Sequence, residues 1–449
     1  MIQHKLSIQT VARMDAGRFV GCLPCELLSI LLLFVLASAG CRKNEPTAIV
    51  HGGSMAPNFV GDHYRVQCDD CDFRFVVGLA ESAHATKVVC PNCGFGDNEL
   101  SRAVRHESPV MSVRPIARSL HRWEVAAFRF PGEPTTDSRL GVKRIVGLPN
   151  EVVRIADGEI WIGDQIARKS LEQQISIAIP VFDSAFVPGK IVPVPSRFRF
   201  EPENNDRQPE NNVFQMQVAE HGLPIRLCYT HWAGYRQAGD RFEATAIKDD
   251  YSYNPSENRS LNSIHEILVQ AMLSMSEGVV ELSVDLADPK LVCVLDGQSG
   301  CIRVRCGESL NESIPWKLPK EPFELTVSNI DDQVTVAIDG AVVFLADCET
   351  RLTVDPKGRI EPVSVRLNRG EVVVSRIRIA RDLYYFDFLK GGDPPTAGAL
   401  NHEYVLGENE YLLLGDNVPQ SSDSRSWARS GVPRSNLFGV VHAPKIQEK

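Results

Sequence analysis

Apolar residues at every second position are the feature that most constrains this chain. Val334, Val336 and Ile338 alternate with polar residues, Asp339-Gly340 follows, and the apolar run 341–344 returns. A period of two puts the apolar set on one face of a strand, and Asp-Gly is the turn a tight hairpin needs. Leu325 and Val327 keep the same spacing, and further strands are expected at 279–286, 363–367 and 372–379. Many short strands at turn-like spacing predict a β-sandwich of about two hundred residues. Upstream, 125–130, 142–146 and 152–161 are the clearest strands, and residues 51–165 show no long helical period. The chain is mainly β.

Its 449 residues exceed what one core fills, so two or three domains are expected. Lys plus Arg number 48 against 57 Asp plus Glu, a formal charge of −9. An acidic chain lacks the basic footprint of a nucleic-acid binder, which excludes that class of partner. The mixed composition likewise excludes collagen-like, coiled-coil and disordered classes.

Lys5, Arg13 and Arg18 precede an apolar stretch, 19–40, densest over 27–39. Positive charge ahead of such a stretch keeps the N-terminus in the cytoplasm and sends the remainder across the membrane. Twenty-two residues suffice for a transmembrane anchor, although Pro24 and Glu26 interrupt them. Ala37-Ser38-Ala39 also has the form of a cleavage site, and Cys41 that of a lipid acceptor. All three readings export the remainder of the chain.

Three separated motifs carry the chemistry. Gly52-Gly53-Ser54-Met55-Ala56-Pro57 comes first, Gly141-Val142-Lys143-Arg144-Ile145-Val146-Gly147-Leu148-Pro149 second, and Gly415-Asp416-Asn417 with Ser421-Ser422-Asp423-Ser424-Arg425 third. Alone, each has a bland account: a turn, a strand with a solvated lysine, a polar loop. Together and in this order they resemble the type I signal peptidases, membrane-bound serine proteases that remove signal peptides from exported proteins. The serine box matches at 52–57, the lysine box without a gap at 143–149, and the third box at every fixed position of 415–425. Arg122-Trp123-Glu124-Val125 is similar to the family's strand box, with Trp123-Glu124 where Gly-Asp is usual. The resemblance covers roughly a quarter of the chain.

A serine hydroxyl needs a neighbouring base to act as a nucleophile, and lysine is that base only when desolvation makes it neutral. Val142, Ile145 and Val146 supply apolar neighbours for Lys143. Ser54 is thus the expected nucleophile and Lys143 the general base. The resemblance implies that Ser421 orients the amine, that Asp423 and Arg425 form a supporting ion pair, and that Asp416 and Asn417 shape the turn. It places the oxyanion hole at the Ser54 N–H, with Gly53 and Met55 flanking it toward substrate. Gly52 stands where some members add a serine hydroxyl donor. No catalytic cofactor is implied. The implied partners are the lipid bilayer and exported preproteins with small residues before the cut, and the implied location is the bacterial cytoplasmic membrane with one span and the catalytic domain outside.

Cys68-x-x-Cys71 and Cys90-x-x-Cys93 lie eighteen residues apart. Two such knuckles are the spacing of a zinc ribbon with four thiolates around a structural ion. Two disulfides are the competing reading in an oxidising compartment. Five further exported cysteines, Cys228, Cys293, Cys301, Cys306 and Cys348, leave pairing open.

The expected organisation is a cytoplasmic N-terminus 1–18, a membrane segment 19–40, and a signal-peptidase-like β-barrel catalytic domain in three parts, 41–66, 101–165 and 399–449. A zinc ribbon, 67–100, and a jelly-roll β-sandwich, 166–398, are inserted between them. The sandwich bears a weak similarity to concanavalin and laminin-G domains through 329–340. His231-Trp232 and Tyr251, Tyr253 and Asn254 are candidates to line a glycan site there, with core packing as the alternative. A non-enzymatic surface module presenting a glycan- or protein-binding sandwich is the rival to the peptidase, and a protease with one dedicated substrate is a third reading.

Overall fold

The computed structural model describes residues 47–50, 52–130, 140–202, 213–232, 234–236, 242–350, 361–387 and 402–441. The membrane segment 19–40 and Cys41 lie outside them. Among the described residues no helix is long and apolar enough to cross a membrane.

Near-continuous apolar runs make strands buried on both faces, and Gly141–Gly147 is one, with Val142, Ile145 and Val146 each inside. It is central to a seven-stranded antiparallel sheet ordered Thr47–Ile49, Val110–Pro115, Leu437–Val441, Val125–Phe128, Gly141–Gly147, Glu410–Leu414, Gly431–Pro433. This sheet curls into a nearly closed, barrel-like layer. Ala48, Val50, Met111, Val113, Val125 and Val142 fill one side, and Ala126, Ile145, Leu413 and Val432 the other.

Residues 152–161 are not one strand. They form a hairpin, Val152–Ala156 against Glu159–Ile162, turned at Asp157-Gly158, whose φ values are 55° and 96°. Two successive positive φ values are what a tight hairpin turn requires, and the Asp-Gly pair supplies them.

The sandwich departs from expectation in the opposite sense. The runs 363–367 and 372–379 belong to a single nineteen-residue strand, Val363–Arg381, with Gly370 at φ 87° inside it. Its first half lies between Ile225–Tyr229 and Val279–Val284. The second half lies between Ile267–Met275 on one side and Phe214–Val218 and Ile179–Asp183 on the other. One strand thus serves two sheets, and Leu282, Cys293, Val327, Val336, Val365 and Val374 are among the residues that pack between them. Cys306 and Cys348 form a disulfide.

A buried polar seam joins sandwich and barrel. Lys169 pairs with Asp331 and with Asp382, the latter at 2.9 Å, and its ammonium sits 4.5 Å from the centre of the Trp123 ring. Glu159 and Glu266 complete a group of four buried carboxyls there. Burial raises the Glu266 carboxyl to about 8, reinforced by the charges of Asp331 and Asp382.

Candidate active site

Ser54 sits half-buried on the turn that leads from Thr47–Ile49 to His63–Gln67. Ala56 N donates to Gly53 O at 3.0 Å and Phe59 N to Met55 O at 2.9 Å, which closes the turn around the serine. Met55 packs its side chain fully into the barrel core, so its role toward substrate is confined to its backbone. No acceptor among the described residues takes the Ser54 N–H.

Lys143 and Arg144 are consecutive, so a strand sends them to opposite faces. Both are buried. Lys143 Nζ donates to Ser421 Oγ at 2.9 Å, the amine's one hydrogen bond among the described residues. Burial pushes the ammonium down to about 8, against the opposing pull of the Asp423 and Asp416 carboxylates. Ser54 Oγ makes no hydrogen bond to this amine. The two sides meet at Gly415: a Cβ there would fall 2.2 Å from Ser421 Oγ and 2.3 Å from Ser54 O, so only glycine allows the approach. Catalytic contacts are often loose without substrate and tighten in its complex.

The other face holds Arg144. Its Nε donates to Asp416 Oδ1 and its Nη1 to Trp123 O, both at 2.7 Å. Asp416 is fully buried, so its carboxylate is an ion-pair partner as well as a turn residue. Trp123 itself has φ 71° in the place where the strand box usually has glycine. For so bulky a side chain this is a strained backbone. Its ring is held by Lys169 and Tyr385, and its Nε1 donates to Arg168 O at 2.9 Å.

The third box folds on itself. Arg425 Nε and Nη2 each donate to Asp423 at 2.8 Å, and neither side chain is exposed. Burial alone would raise the Asp423 carboxyl, but Arg425 outweighs it and holds the group below its usual value. Asp423 Oδ2 in turn accepts from Gly415 N at 3.0 Å. Asn417 spans the gap to the Ser54 turn, its N donating to Ser54 O at 3.1 Å and its Nδ2 to Gly53 O at 2.9 Å.

Three more contacts come from residues the motifs do not include. Asn58 Nδ2 donates to Asp416 Oδ2 at 3.0 Å. Tyr251 OH donates to Asp416 O at 3.0 Å, and Asn254 exchanges side-chain bonds of 2.7 and 2.8 Å with Asn417. Tyr251 and Asn254 belong to the stretch weighed as a glycan site. Both are buried beneath the 415–425 loop, as is Tyr253 beside Gly53, so they line no sugar cleft. Trp232 is buried and His231 half-buried beside it, and desolvation pushes the imidazole down to about 3. Arg144 carried a signal in sequence, a second charge on a buried strand. Asn254 stood out in sequence only as a glycan-site candidate.

Cys68, Cys71, Cys90 and Cys93 are buried and disulfide-free, their sulfurs within 4.8 Å of one another.

With this geometry in view, the comparisons bear on one part of the chain. Residues 380–445 match the family described as signal peptidase, peptidase S26. That segment contains the whole third box. No curated protein sequence matches the chain. Among solved structures, a carbohydrate binding module from Bacillus subtilis is 7% identical, covering 36% of this chain and 84% of that one at a TM-score of 0.23. The Caenorhabditis elegans galectin LEC-6 is 10% identical over 26% of this chain and 83% of its own, TM-score 0.20. Trypanosoma rangeli sialidase is 14% identical over 26% of this chain and 21% of its own, TM-score 0.21.

Proposed function

We propose that the chain is a serine endopeptidase of the signal peptidase type, with Ser54 as nucleophile and Lys143 as general base. The observation that carries this is the buried Lys143 amine, pushed down to about 8 by burial and hydrogen-bonded to Ser421 across Gly415 from Ser54. A lysine at that value is half neutral at pH 8 and about one-tenth neutral at pH 7, far more than an ordinary lysine, and the neutral amine is the state a base needs. The amine takes the Ser54 proton as Oγ attacks the peptide carbonyl, and it returns the proton to the leaving amine. Water then repeats the cycle on the acyl-enzyme. The Ser54 N–H, which meets no acceptor among the described residues, supplies an oxyanion donor, and Asn417, by holding the Gly53 and Ser54 carbonyls, fixes where that N–H points. Asp423, Arg425, Asp416 and Arg144 hold the loop and do not touch substrate.

The substrate class we infer is exported preproteins with small residues ahead of the cut. The apolar stretch 19–40 supports a catalytic region on the outer side of the cytoplasmic membrane, with Ser54 only thirteen positions beyond Cys41. The test is incubation of detergent-solubilised protein with a synthetic preprotein, the cut located by mass spectrometry. Cleavage after an A-x-A ending that disappears in Ser54→Ala and Lys143→Ala supports the assignment; cleavage that survives in either variant overturns it.

A further inference from the structure

The cysteine cluster lies outside the catalytic machinery, yet the chain runs from one directly into the other. His63–Gln67 leaves the nucleophile turn and enters the first knuckle at Cys68. Both knuckles fold alike. Cys68 N donates to Phe73 O and Asp72 N to Cys68 O, while Cys90 N donates to Phe95 O and Gly94 N to Cys90 O. Asp72 and Gly94 take positive φ at equivalent places, 64° and 92°. Two loops of one geometry aim four sulfurs at a common centre.

The spacing fits one ion. A tetrahedral zinc with Zn–S bonds of about 2.3 Å sets its sulfurs about 3.8 Å apart. Cys68 and Cys93 Sγ are 3.6 Å apart, and Cys71 and Cys90 Sγ 3.7 Å. These distances pair sulfurs across the two knuckles. Disulfides would need sulfurs at bonding distance and a different arrangement of the loops. Phe95 N donates to Cys93 Sγ at 3.4 Å, as backbone amides do toward thiolate ligands. A second observation concerns charge. Arg197 is buried, donates Nη2 to Cys93 O at 2.9 Å, and leaves Nε and Nη1 without a hydrogen-bond partner among the described residues. Its guanidinium stacks 4.2 Å from the centre of the Trp232 ring, and a cation at the second knuckle is matched by the net negative charge of four thiolates around one divalent ion.

The knuckles also grip the rest of the molecule. Asp70 accepts from Gly189 N at 2.8 Å, Ile191 N at 2.7 Å and Tyr235 OH at 2.6 Å, all on the 166–398 segment. On the other side, Gly78 N, at the end of the ribbon strand Arg74–Gly78, donates to Tyr253 O at 2.9 Å. Tyr253 packs with Ala56 and Val60 of the nucleophile turn, and its neighbour Asn254 holds Asn417.

We propose that Cys68, Cys71, Cys90 and Cys93 bind one zinc ion, and that this ion clamps the Ser54 turn to the 166–398 segment although it touches no substrate. All four coordination positions are filled by sulfur, so the ion binds no water for chemistry. Its contribution is positional: it fixes the ribbon strand that seats Tyr253 under Gly53.

The experiment uses the full chain carrying Ser54→Ala, purified in reducing buffer without added metal, so its readouts do not depend on proteolysis. Elemental analysis is expected to give about one zinc per chain, with all four thiols shielded from a thiol reagent until a chelator strips the ion. Chelation is then expected to raise hydrogen exchange at least tenfold over 52–61 and 253–255 and to leave 323–338 unchanged. Cys71→Ser, if it folds, should lose most of the zinc; the chelation experiment stands if it does not. Metal-free protein with reactive or oxidised thiols overturns the site. Bound zinc whose removal leaves exchange at 52–61 unaltered overturns the clamp.

Discussion

At the scale of single residues, the pH response of Lys143 is the sharpest consequence of the site. Its folded value lies near 8, against an ordinary lysine near 10.5. Cleavage should therefore rise with pH along a limb whose midpoint is near 8, as the amine loses its proton. Measured rates that are flat from pH 6 to 10 would remove Lys143 as the base. Lys143→Ala should lower kcat by about 10²–10⁴-fold, the usual contribution of a positioned base. The opposite face of the same strand behaves differently. Arg144→Ala strands the fully buried Asp416 carboxylate, which costs about 3–5 kcal/mol when one partner of a buried pair is removed. Urea unfolding should register that loss, and an unchanged midpoint would deny the pair its structural weight. Lys143 and the third box stand out in sequence because together they resemble a family's motifs, and the fold brings Lys143 and Ser421 within hydrogen-bond distance. The Trp123 backbone was half-legible: a bulky residue stands where the pattern has glycine, yet only the fold shows it bearing φ 71°.

At the scale of elements, hydrogen bonds tie the 166–398 segment to the third box. Sequence alone marks 166–398 as an inserted sandwich, and Tyr251 and Asn254 within it hold Asp416 and Asn417. Deletion of 170–380 should consequently yield an insoluble or inactive remainder, assayed by solubility and by preprotein cleavage. Active, soluble remainder would show the bracing to be dispensable. Asn254→Ala is the milder version and should lower kcat about tenfold with KM nearly unchanged, since it acts through Asn417 and not on substrate. The reason these braces escaped notice is physical. Hydrogen bonds between residues 163 positions apart leave no periodicity, and a Tyr-rich polar stretch reads equally as a binding surface or a buried strut. Boundaries misled for a related reason: Asp157-Gly158 breaks one apolar run into a hairpin, while Gly370 fails to break another.

At the scale of the whole molecule, the seam between barrel and sandwich sets a pH dependence of stability. Glu266 is raised to about 8 when folded, well above an exposed glutamate. Between about 4.5 and 8 the unfolded chain gives up this proton and the folded chain keeps it, so stability falls as pH rises through that window. Thermal unfolding should occur at a lower temperature at pH 8 than at pH 5.5, and Glu266→Gln should flatten the difference. An identical slope in that variant would place the effect elsewhere.

The nineteen-residue strand Val363–Arg381 carries a consequence for the order of events during synthesis. Five earlier strands wait for it, and neither face of the sandwich can close until residue 381 has emerged. Only afterwards does the ribosome deliver Ser421 and Asp423. Ser54 and Lys143 are thus made early, but Ser421, which bonds the Lys143 amine, and Asn417, which holds the Ser54 turn, arrive only with the final stretch of the polypeptide. Under the proposed function, the chain would cross the membrane unarmed, and arrested chains ending at residue 400 should leave neighbouring preproteins intact.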